Sequence, residues 1–521
     1  MKTIAKNAND FASIRTMDKG NCIYVDKTDY FHRLVTAPGE NLFFISRPRR
    51  FGKSLMITTF KYIFEGRREL FKGLKIDRTD YDWKVHPVIH IDFSRCSART
   101  HAEFICDLPS VMRAAIEHSG GAYDEKLTPS VNFMNAIEWH FKRGTPCVVL
   151  IDEYDDPVAQ ALADPREAEL VRSTLSLIYG KVKGMTHMIR FMMMTGVSKF
   201  TKLSVFSVLS NLTDISTLPE YAEMLGYTEE DLDEYFGEHM AAHAKVMGLS
   251  DEAYRAELKR WYNGYRFSPD KAVTVYNPVS TGLTFARMGA EFHGTWTQTG
   301  RPSMLMNFIK REGLLAIDYE KGVKVGEDAF DVSDIRHLRA VAMLYQTGYL
   351  TIKDYEDGDY TLGLPDEEVR RDLLKLVAAQ AAEQDEAWVG DTVRHLRNFE
   401  FEEFFVGLKA LFAHLPYGSR EGCVYEMQYE RLLKVLLWSQ GLEVLTEDVQ
   451  SQGRADLVVK FRKAFYVFEL KRDESAAAAL AQIKEKGYAE PYCADGRPVY
   501  LIGLNFDSKS RQLTDALSEK L

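Results

Sequence analysis

Short apolar runs alternate with amphipathic stretches along the first part of the chain. Four runs have the length and the β-branched or aromatic content of buried strands: 41–46, 88–93, 146–152 and 188–195. From Lys53 onward, apolar side chains recur with the spacing of an amphipathic helix. Strands that alternate with helices predict an α/β domain with a parallel sheet over residues 1–220.

The pattern changes after this domain. Residues 221–310 are helical and rich in aromatics, which predicts a helical lid or extension. Residues 311–415 predict a helical, winged-helix-like connector, with a hairpin whose turn is Asp357-Gly358-Asp359. Residues 416–521 begin with an amphipathic helix over 425–441 and continue with strands and a helix, which predicts a second α/β domain.

Composition narrows the class of protein without naming an activity. Hydrophobic residues make up 45% and charged residues 27%, as in ordinary globular proteins. The net charge of −10 means that nucleic acid would have to bind at a local basic surface. The six cysteines form no CxxC pair and no zinc pattern, and no run approaches about 20 apolar residues. Since the N-terminus also lacks a signal-peptide core, we expect a cytoplasmic protein with no membrane partner.

The first candidate site is the segment RPRRFGKSL at 47–55, between a strand and a helix. Backbone N–H groups at a helix start bind phosphate oxygens, so Gly52, Lys53 and Ser54 predict a nucleotide-phosphate loop. Lys53 would neutralise the β- and γ-phosphates, and the Ser54 hydroxyl would bind Mg²⁺. The pattern departs from GxxxxGK[ST] at its first position, which is an arginine. Three arginines of the loop either contact phosphates or form a solvated basic surface: Arg47, Arg49 and Arg50.

A second apolar run ends in the paired carboxylates Asp152 and Glu153. An open α/β site needs Mg²⁺ and an attacking water at the carboxyl ends of its strands. Asp152 is therefore predicted to bind Mg²⁺ and Glu153 to polarise the water, and the alternative is a polar strand end that runs into a loop. Thr195, at the end of the next run, is predicted to contact the γ-phosphate.

A third group of candidates lies near the C-terminus, where Asp456 precedes the triplet Glu469-Leu-Lys471. A two-residue turn at 462–463 would place Asp456 opposite Glu469, with Cβ atoms about 5 Å apart. Glu469 and Lys471 share one strand face. Two carboxylates and a lysine around Mg²⁺ can activate water and stabilise charge on a phosphodiester. The alternative is a hairpin with an exposed aspartate and a Glu–Lys salt bridge.

These blocks resemble a known family. RPRRFGKSL, VLIDEYDDP, TGVSKFTKLSVFS, WYNGYRF and VYNP resemble AAA-ATPase-like bacterial proteins whose C-terminus carries a PD-(D/E)XK nuclease superfamily domain. GRADLVV, YVFELK and QIKEKGYAEPY resemble that second domain, and the blocks follow the family's order over nearly the whole chain. The arginine at position 47 belongs to the family's own loop.

The resemblance implies the fold and the site residues. The fold is a P-loop NTPase parallel sheet with a helical lid, a winged-helix-like connector and a restriction-endonuclease-like domain at 416–521. ATP would bind at Gly52, Lys53 and Ser54, with Asp152 and Glu153 as the acidic pair. The nuclease site, with Mg²⁺ or Mn²⁺, would consist of five side chains: Glu426, Asp456, Glu469, Lys471 and Gln482.

We therefore expect an ATP-binding and ATP-hydrolysing protein whose nucleotide state gates metal-dependent cleavage of nucleic acid, with DNA as the first candidate. One alternative is a nucleotide-dependent switch or scaffold whose nuclease fold binds DNA or a partner without cutting. Another is an ATPase that moves a substrate and cuts nothing. A homo-oligomer is compatible with each of them.

Overall fold

The computed structural model describes residues 1–5, 9–198, 211–287, 291–294, 296, 309, 322–327, 339–413, 423–450 and 453–521. They fall into two compact units, Met1–His293 with Glu320–Asp366, and Gly294–Tyr319 with Glu367–Leu521. The predicted domain boundaries at 220, 310 and 415 stay predictions. Two predicted stretches lie partly outside the described residues, the block at 195–207 and the helix at 335–345.

The first unit alternates helices and strands as its apolar pattern predicts. In chain order its elements are α1 Phe11–Thr16, α2 Thr28–Val35, β1 Leu42–Ser46, α3 Lys53–Phe64, β2 Val88–Asp92, α4 His101–His118, α5 Pro129–Lys142, β3 Cys147–Asp152, α6 Asp156–Ala161, α7 Pro165–Val182, β4 Ile189–Gly196, β5 Thr213–Asp214, α8 Glu229–Met247, α9 Asp251–Tyr262, β6 Asn263–Tyr265, β7 Val275–Tyr276, α10 Pro278–Ala286, β8 Val323–Gly326, α11 Ala340–Gln346, β9 Thr351–Glu356 and β10 Asp359–Gly363. Short 3-10 segments lie at Met17–Gly20, Arg68–Phe71, Lys75–Arg78, Phe93–Arg95, Lys183–Met188 and Pro219–Tyr221.

The main sheet has the order β2-β3-β4-β1-β5, and all its pairs are parallel. Each of the four predicted strands is present within two residues of its expected ends. Their apolar runs are continuous because β1, β3 and β4 are buried. Ser46 pairs with Gly196, and Asp92 pairs with Asp152, so the carboxyl ends of the strands meet at one edge.

The predicted helical and aromatic region forms α8, α9 and α10. Helix α8 begins with a capping box in which Thr228 and Asp231 satisfy each other's backbone N–H groups. Aromatic side chains, among them Phe236, Trp261 and Phe285, form the core between these helices. The hairpin of β9 and β10 is antiparallel, and Asp357 and Gly358 both have positive φ, as its tight turn requires.

The second unit is built around a mixed sheet. Its elements are α12 Glu367–Ala381, α13 Glu386–Arg397, α14 Phe401–Ala413, α15 Cys423–Ser439, β11 Glu443–Gln450, β12 Gly453–Phe461, β13 Ala464–Arg472, α16 Ala476–Glu485, α17 Glu490–Cys493, β14 Val499–Phe506 and β15 Leu513–Lys520. The strands follow the order β11 to β15, and only β13 and β14 of this sheet are parallel. The predicted apolar face of α15 is buried at Leu432, Leu433, Leu436 and Leu437.

Helix α16 lies directly on this sheet. A Cβ atom at Gly503 would lie 2.3 Å from the carbonyl oxygen of Ala476, so the helix backbone contacts β14 through a glycine. The alanine-rich sequence of α16 permits the same close approach, with Ala476 and Ala479 fully buried. This packing places the side chain of Gln482, near the end of α16, beside β13.

Candidate functional site

The first candidate site is the loop between β1 and α3. Gly52, immediately before the helix, has a φ of 82°, and Arg50 has a φ of 70°. A Cβ atom at Gly52 would meet nothing within 4 Å, so the backbone conformation alone favours glycine there. Helix α3 begins at Lys53, as predicted, and its first turn lies at the edge where the sheet strands end. This is the arrangement in which helix N–H groups bind phosphate oxygens.

The side chain of Lys53 is buried against this loop and is only 4% exposed. Its Nζ donates hydrogen bonds to the carbonyl oxygens of Arg47 at 3.1 Å and Pro48 at 3.3 Å. The same nitrogen lies 3.5 Å from Glu153 Oε1. The ammonium group therefore sits between the loop and the acidic end of β3, where it can neutralise a phosphate.

Asp152 is hydrogen-bonded to two other predicted residues, Thr195 and Ser54. Its Oδ1 accepts a hydrogen bond from Thr195 Oγ1 at 2.6 Å, and its carboxylate also bonds to the Ser54 hydroxyl. Burial and the neighbouring Glu153 raise the pKa of Asp152, while Thr195, Ser54 and Lys53 oppose that shift. A carboxylate beside a hydroxyl at a helix start is an oxygen donor set that fits Mg²⁺.

The three loop arginines have different environments. Arg47 is not part of a solvated surface, because it is 2% exposed and its terminal guanidinium nitrogens donate to backbone carbonyls of the first unit; a phosphate contact by Arg47 stays a prediction. Nη1 donates to the carbonyl oxygens of Ser46 at 2.9 Å and Ser216 at 2.6 Å, and Nη2 donates to that of Tyr221 at 3.2 Å. Arg49 is partly exposed and lies 3.4 Å from Asp156. Phosphate contacts by Arg49 and Arg50 stay predictions.

Asp155 is a residue that sequence reasoning missed. It is 2% exposed, and its carboxylate accepts hydrogen bonds from the backbone N–H groups of Val197 at 3.1 Å and Ser198 at 2.7 Å, and from the Ser198 hydroxyl. Tyr154 adds a hydrogen bond from its hydroxyl to the Ser198 carbonyl oxygen. Burial and Glu153 raise the pKa of Asp155 to about 6. Asp155 thus fixes the backbone just after Thr195. The sequence feature that could have indicated this residue is the second acidic pair of the segment IDEYDD.

The second candidate site lies on β12 and β13. The two strands pair from Leu457 with Phe468 to Phe461 with Ala464, around a two-residue turn at 462–463. One step further in this register, Asp456 lies opposite Glu469, as the predicted turn requires. The backbone N–H of Leu470 donates to Asp456 Oδ2 at 2.8 Å, which fixes that carboxylate beside Glu469.

Glu469, Lys471 and Gln482 form a closed hydrogen-bonded triangle. Gln482 Nε2 donates to Glu469 Oε1 at 2.6 Å, and Lys471 Nζ donates to Gln482 Oε1 at 2.5 Å and to Glu469 Oε1 at 3.4 Å. Glu469 is 3% exposed, and its buried Oε2 has no hydrogen-bond partner among the described residues. Burial, and then the charge of Asp456, raise the pKa of Glu469 to about 7.

This carboxylate pair fits a divalent cation. An orphaned buried oxygen beside a second carboxylate supplies the hard oxygen donors that Mg²⁺ and Mn²⁺ prefer. Within the described residues, no group of three or more His, Cys, Asp or Glu side chains is placed to hold a metal. Glu426, the further predicted residue, belongs to α15, but its side chain lies outside the described part. Its role stays a prediction.

Two family models match the chain. The model described as Predicted AAA-ATPase matches residues 8–206, and that of the PD-(D/E)XK nuclease superfamily matches residues 424–516. The first match contains the loop and the acidic segment, and the second contains the Asp456–Glu469 pair. In the part of the chain that the structure describes, no helix has the length and apolarity needed to cross a membrane.

Similar proteins extend this comparison. An "Uncharacterized protein in vnfD 5'region" from Azotobacter chroococcum mcd 1 is 33% identical over 528 residues, covering 98% of each chain. The crystal structure of Cdc6p from Pyrobaculum aerophilum is 9% identical and covers 68% of this chain and 92% of that one, with a TM-score of 0.23. The ORC2 protein of Aeropyrum pernix, in its ADPNP–ADP complexes, is 12% identical and covers 67% and 90%, with a TM-score of 0.24. TM-scores this low support no inference about the present protein.

The two matched segments contain the two candidate sites, and the relative aligns with nearly the whole chain. The glycine–lysine–serine loop and strands β1 to β4 fall inside one matched segment, and the strands β12 and β13 that carry the two carboxylates fall inside the other. The chain belongs to the family of predicted AAA-ATPases that carry a PD-(D/E)XK nuclease superfamily domain at their C-terminus.

Proposed function

We propose that the protein binds and hydrolyses ATP at its first site and cleaves nucleic acid at its second, with the nucleotide state gating cleavage. The observation that carries the nuclease part is the buried carboxylate of Glu469, held by Gln482 and Lys471 with one oxygen unpartnered among the described residues. A side chain with this arrangement is costly for folding and is typical of functional sites.

At the nucleotide site, each side chain has a separate role. Lys53 would bind the β- and γ-phosphates, which would replace the loop carbonyls as partners of its ammonium group. Ser54 and Asp152 would hold Mg²⁺, which offsets the phosphate charge when bound. Glu153 would orient the attacking water, and Thr195, fixed on Asp152, would contact the γ-phosphate.

At the nuclease site, Asp456 and Glu469 would hold the divalent metal, which when bound lowers the pKa of a water molecule. Lys471 would stabilise the negative charge that develops on the phosphodiester. Gln482 would keep the Glu469 and Lys471 side chains in position through its two hydrogen bonds. Glu426 would supply a further ligand from α15.

The gating part of the proposal rests on the presence of both sites in one chain. Nucleic acid, with DNA as the first candidate, is the partner that this pair of activities requires, and a homo-oligomer stays compatible with it. The rival function, a switch or scaffold that does not cut, shares the first site and differs only in the chemistry of the second. The two are therefore separated by a cleavage assay.

The test combines substrates, metals and nucleotide with one matched pair of variants. Plasmid, linear and single-stranded DNA and RNA are incubated with the full chain and Mg²⁺ or Mn²⁺, with and without ATP. Glu469→Ala removes the buried carboxylate, and Glu485→Ala removes an exposed one from α16. We expect metal-dependent cleavage that Glu469→Ala abolishes and Glu485→Ala retains, with ATP turnover unchanged in both.

Three results would contradict parts of this proposal. Equal cleavage by the Glu469→Ala protein would remove the assigned nuclease site. Cleavage that is the same with and without ATP would remove gating. The absence of cleavage on every substrate, together with measurable ATP turnover, would favour the switch or scaffold.

A further inference from the structure

A cavity of ≈ 310 Å³ opens beside the phosphate loop within the first unit. One side consists of the first loop residues, Ser46, Arg47 and Pro48. The opposite sides come from two segments that lie far along the chain, around Tyr265 and Phe267 after α9, and around Tyr345 and Tyr360 on α11 and β10. Small-molecule sites have volumes of about 300–1,000 Å³, so this cavity can hold a group of nucleobase size.

The cavity and the phosphate site share the same loop. The carbonyl oxygens of Arg47 and Pro48 bind Lys53 Nζ, while both residues also line the cavity. A single ligand with a polyphosphate at Lys53 and a planar group beyond Arg47 can therefore occupy both places. A nucleoside triphosphate has this form.

The lining suits an aromatic heterocycle. Four aromatic rings surround the space, and bases stack on such rings with about 1–3 kcal/mol per contact. The amide of Gln346 also lines the cavity, and a glutamine amide can bond to the N6 and N7 edge of adenine. Arg47 Nε is buried and has no hydrogen-bond partner among the described residues, although both terminal nitrogens of the same side chain are bonded. A ring nitrogen or a ribose oxygen in the cavity would supply the missing acceptor.

We infer that this cavity holds the purine base of the bound nucleotide, and that the α11–β10 segment supplies its aromatic wall. This inference rests on the proposed nucleotide binding and extends it, since it assigns base recognition to residues about 300 positions after the phosphate loop. The base would join the loop to the β9–β10 hairpin, so nucleotide binding would order these two segments together.

The affinity test uses two ligands, Mg-ATP and Mg-tripolyphosphate, because only the first carries a base. Titration calorimetry on the full chain compares wild type with Tyr360→Ala. The matched control is Tyr123→Ala, which removes a half-buried tyrosine ring of the first unit that lies outside the cavity lining. We expect Tyr360→Ala to weaken ATP binding about 5- to 150-fold, as loss of one stacking contact does, and to leave tripolyphosphate affinity unchanged.

The variant Lys53→Ala distinguishes failure of the base cavity from failure of the nucleotide site. If it weakens both ligands while Tyr360→Ala leaves ATP affinity unchanged, the base cavity is refuted and the nucleotide site stands. If Lys53→Ala leaves both affinities unchanged, the proposed nucleotide site itself fails.

A second measurement needs no variant and is independent of folding defects. The wild-type chain is photolabelled with 8-azido-ATP, digested and analysed by mass spectrometry. We expect the label on peptides that contain 261–267 or 340–363, and excess ATP should prevent it. Label confined to other peptides, such as those from 24–31, would overturn the assignment of the base.

Discussion

Burial of the Glu469 carboxylate leads to a prediction about the pH dependence of folding stability, which can be tested separately from catalysis. In the metal-free protein, Glu469→Gln replaces an ionisable group by a neutral one of the same shape. Burial and Asp456 raise the pKa of Glu469 from 4.5 to about 7, so the folded protein holds this proton more tightly than the unfolded chain does. We therefore expect the variant to become progressively more stable than wild type as the pH rises.

The sign and size of the effect follow from linkage. The contribution of a group with a raised pKa is fully present below about pH 4.5 and is lost as the pH rises through 7. One pKa unit corresponds to about 1.4 kcal/mol, so the wild-type protein should lose about 3 kcal/mol across this window. Glu469 is 3% exposed, so solvent screens the interaction little. Because glutamine does not titrate, the difference between the proteins should change by the same amount.

Hydrogen exchange can measure this change within the second unit. The slowest amides of β12 and β13 report the free energy of unfolding of their sheet. A change of about 3 kcal/mol corresponds to about a hundredfold change in protection between pH 4.5 and 8, after correction for intrinsic rates. EDTA is required, since a bound cation would hold the carboxylate ionised.

The exposed Glu485→Gln variant is the control, because it removes one carboxylate from the helix that follows. A constant offset between Glu469→Gln and wild type at every pH would refute the reasoning. It would mean that the carboxylate of Glu469 is solvated in solution and is not held in a site built for a cation.

Three further predictions concern the first unit. Gly196→Ala should destabilise the protein by about 1–3 kcal/mol, because its Cβ would lie 2.4 Å from Asp155 Oδ1. Thermal unfolding measures this loss of stability. The control is Gly184→Ala, because a Cβ atom there meets nothing within 4 Å. Asp155→Asn directs an amide NH₂ at a backbone N–H group, so we expect ATP turnover to fall at least tenfold with little change in ATP affinity. An unchanged kcat would show that the chain after Thr195 needs no such anchor. Arg47→Leu leaves backbone carbonyls without their donor and should cost about 1–3 kcal/mol for each buried one, visible as faster limited proteolysis.

The parts of the fold that were predicted depend on local pattern. The strands that carry the site could be located because doubly buried parallel strands are continuous apolar runs. The pairing of β12 with β13 followed from a two-residue turn, since the turn length alone sets which residues face each other. In both cases the determining residues lie within about ten positions of one another.

The parts that were missed depend on contacts between distant positions. The hydrogen bond from Arg47 to Ser216 spans 169 positions, and that from Ser198 to Asp155 spans 43. The sequence near each residue resembles an ordinary basic or acidic loop, and only the packed sheet shows that both are buried. Burial of Arg47 removes it from the solvated basic surface, and burial of Asp155 lets its carboxylate hold the backbone after Thr195.

Both candidate sites place two carboxylates close together with at least one of them buried. Asp152 lies beside Glu153, and Glu469 lies beside Asp456, and in each pair the neighbour raises the pKa of the buried acid. Such repulsion destabilises the folded chain without contributing to packing, and a hydrophobic or amide replacement would relieve it. A bound cation also relieves it, and binding then stabilises the unit that holds the site. The same carboxylates therefore lower the stability of the metal-free protein and carry the proposed chemistry. A variant that gains stability by losing one of these carboxylates is expected to lose activity.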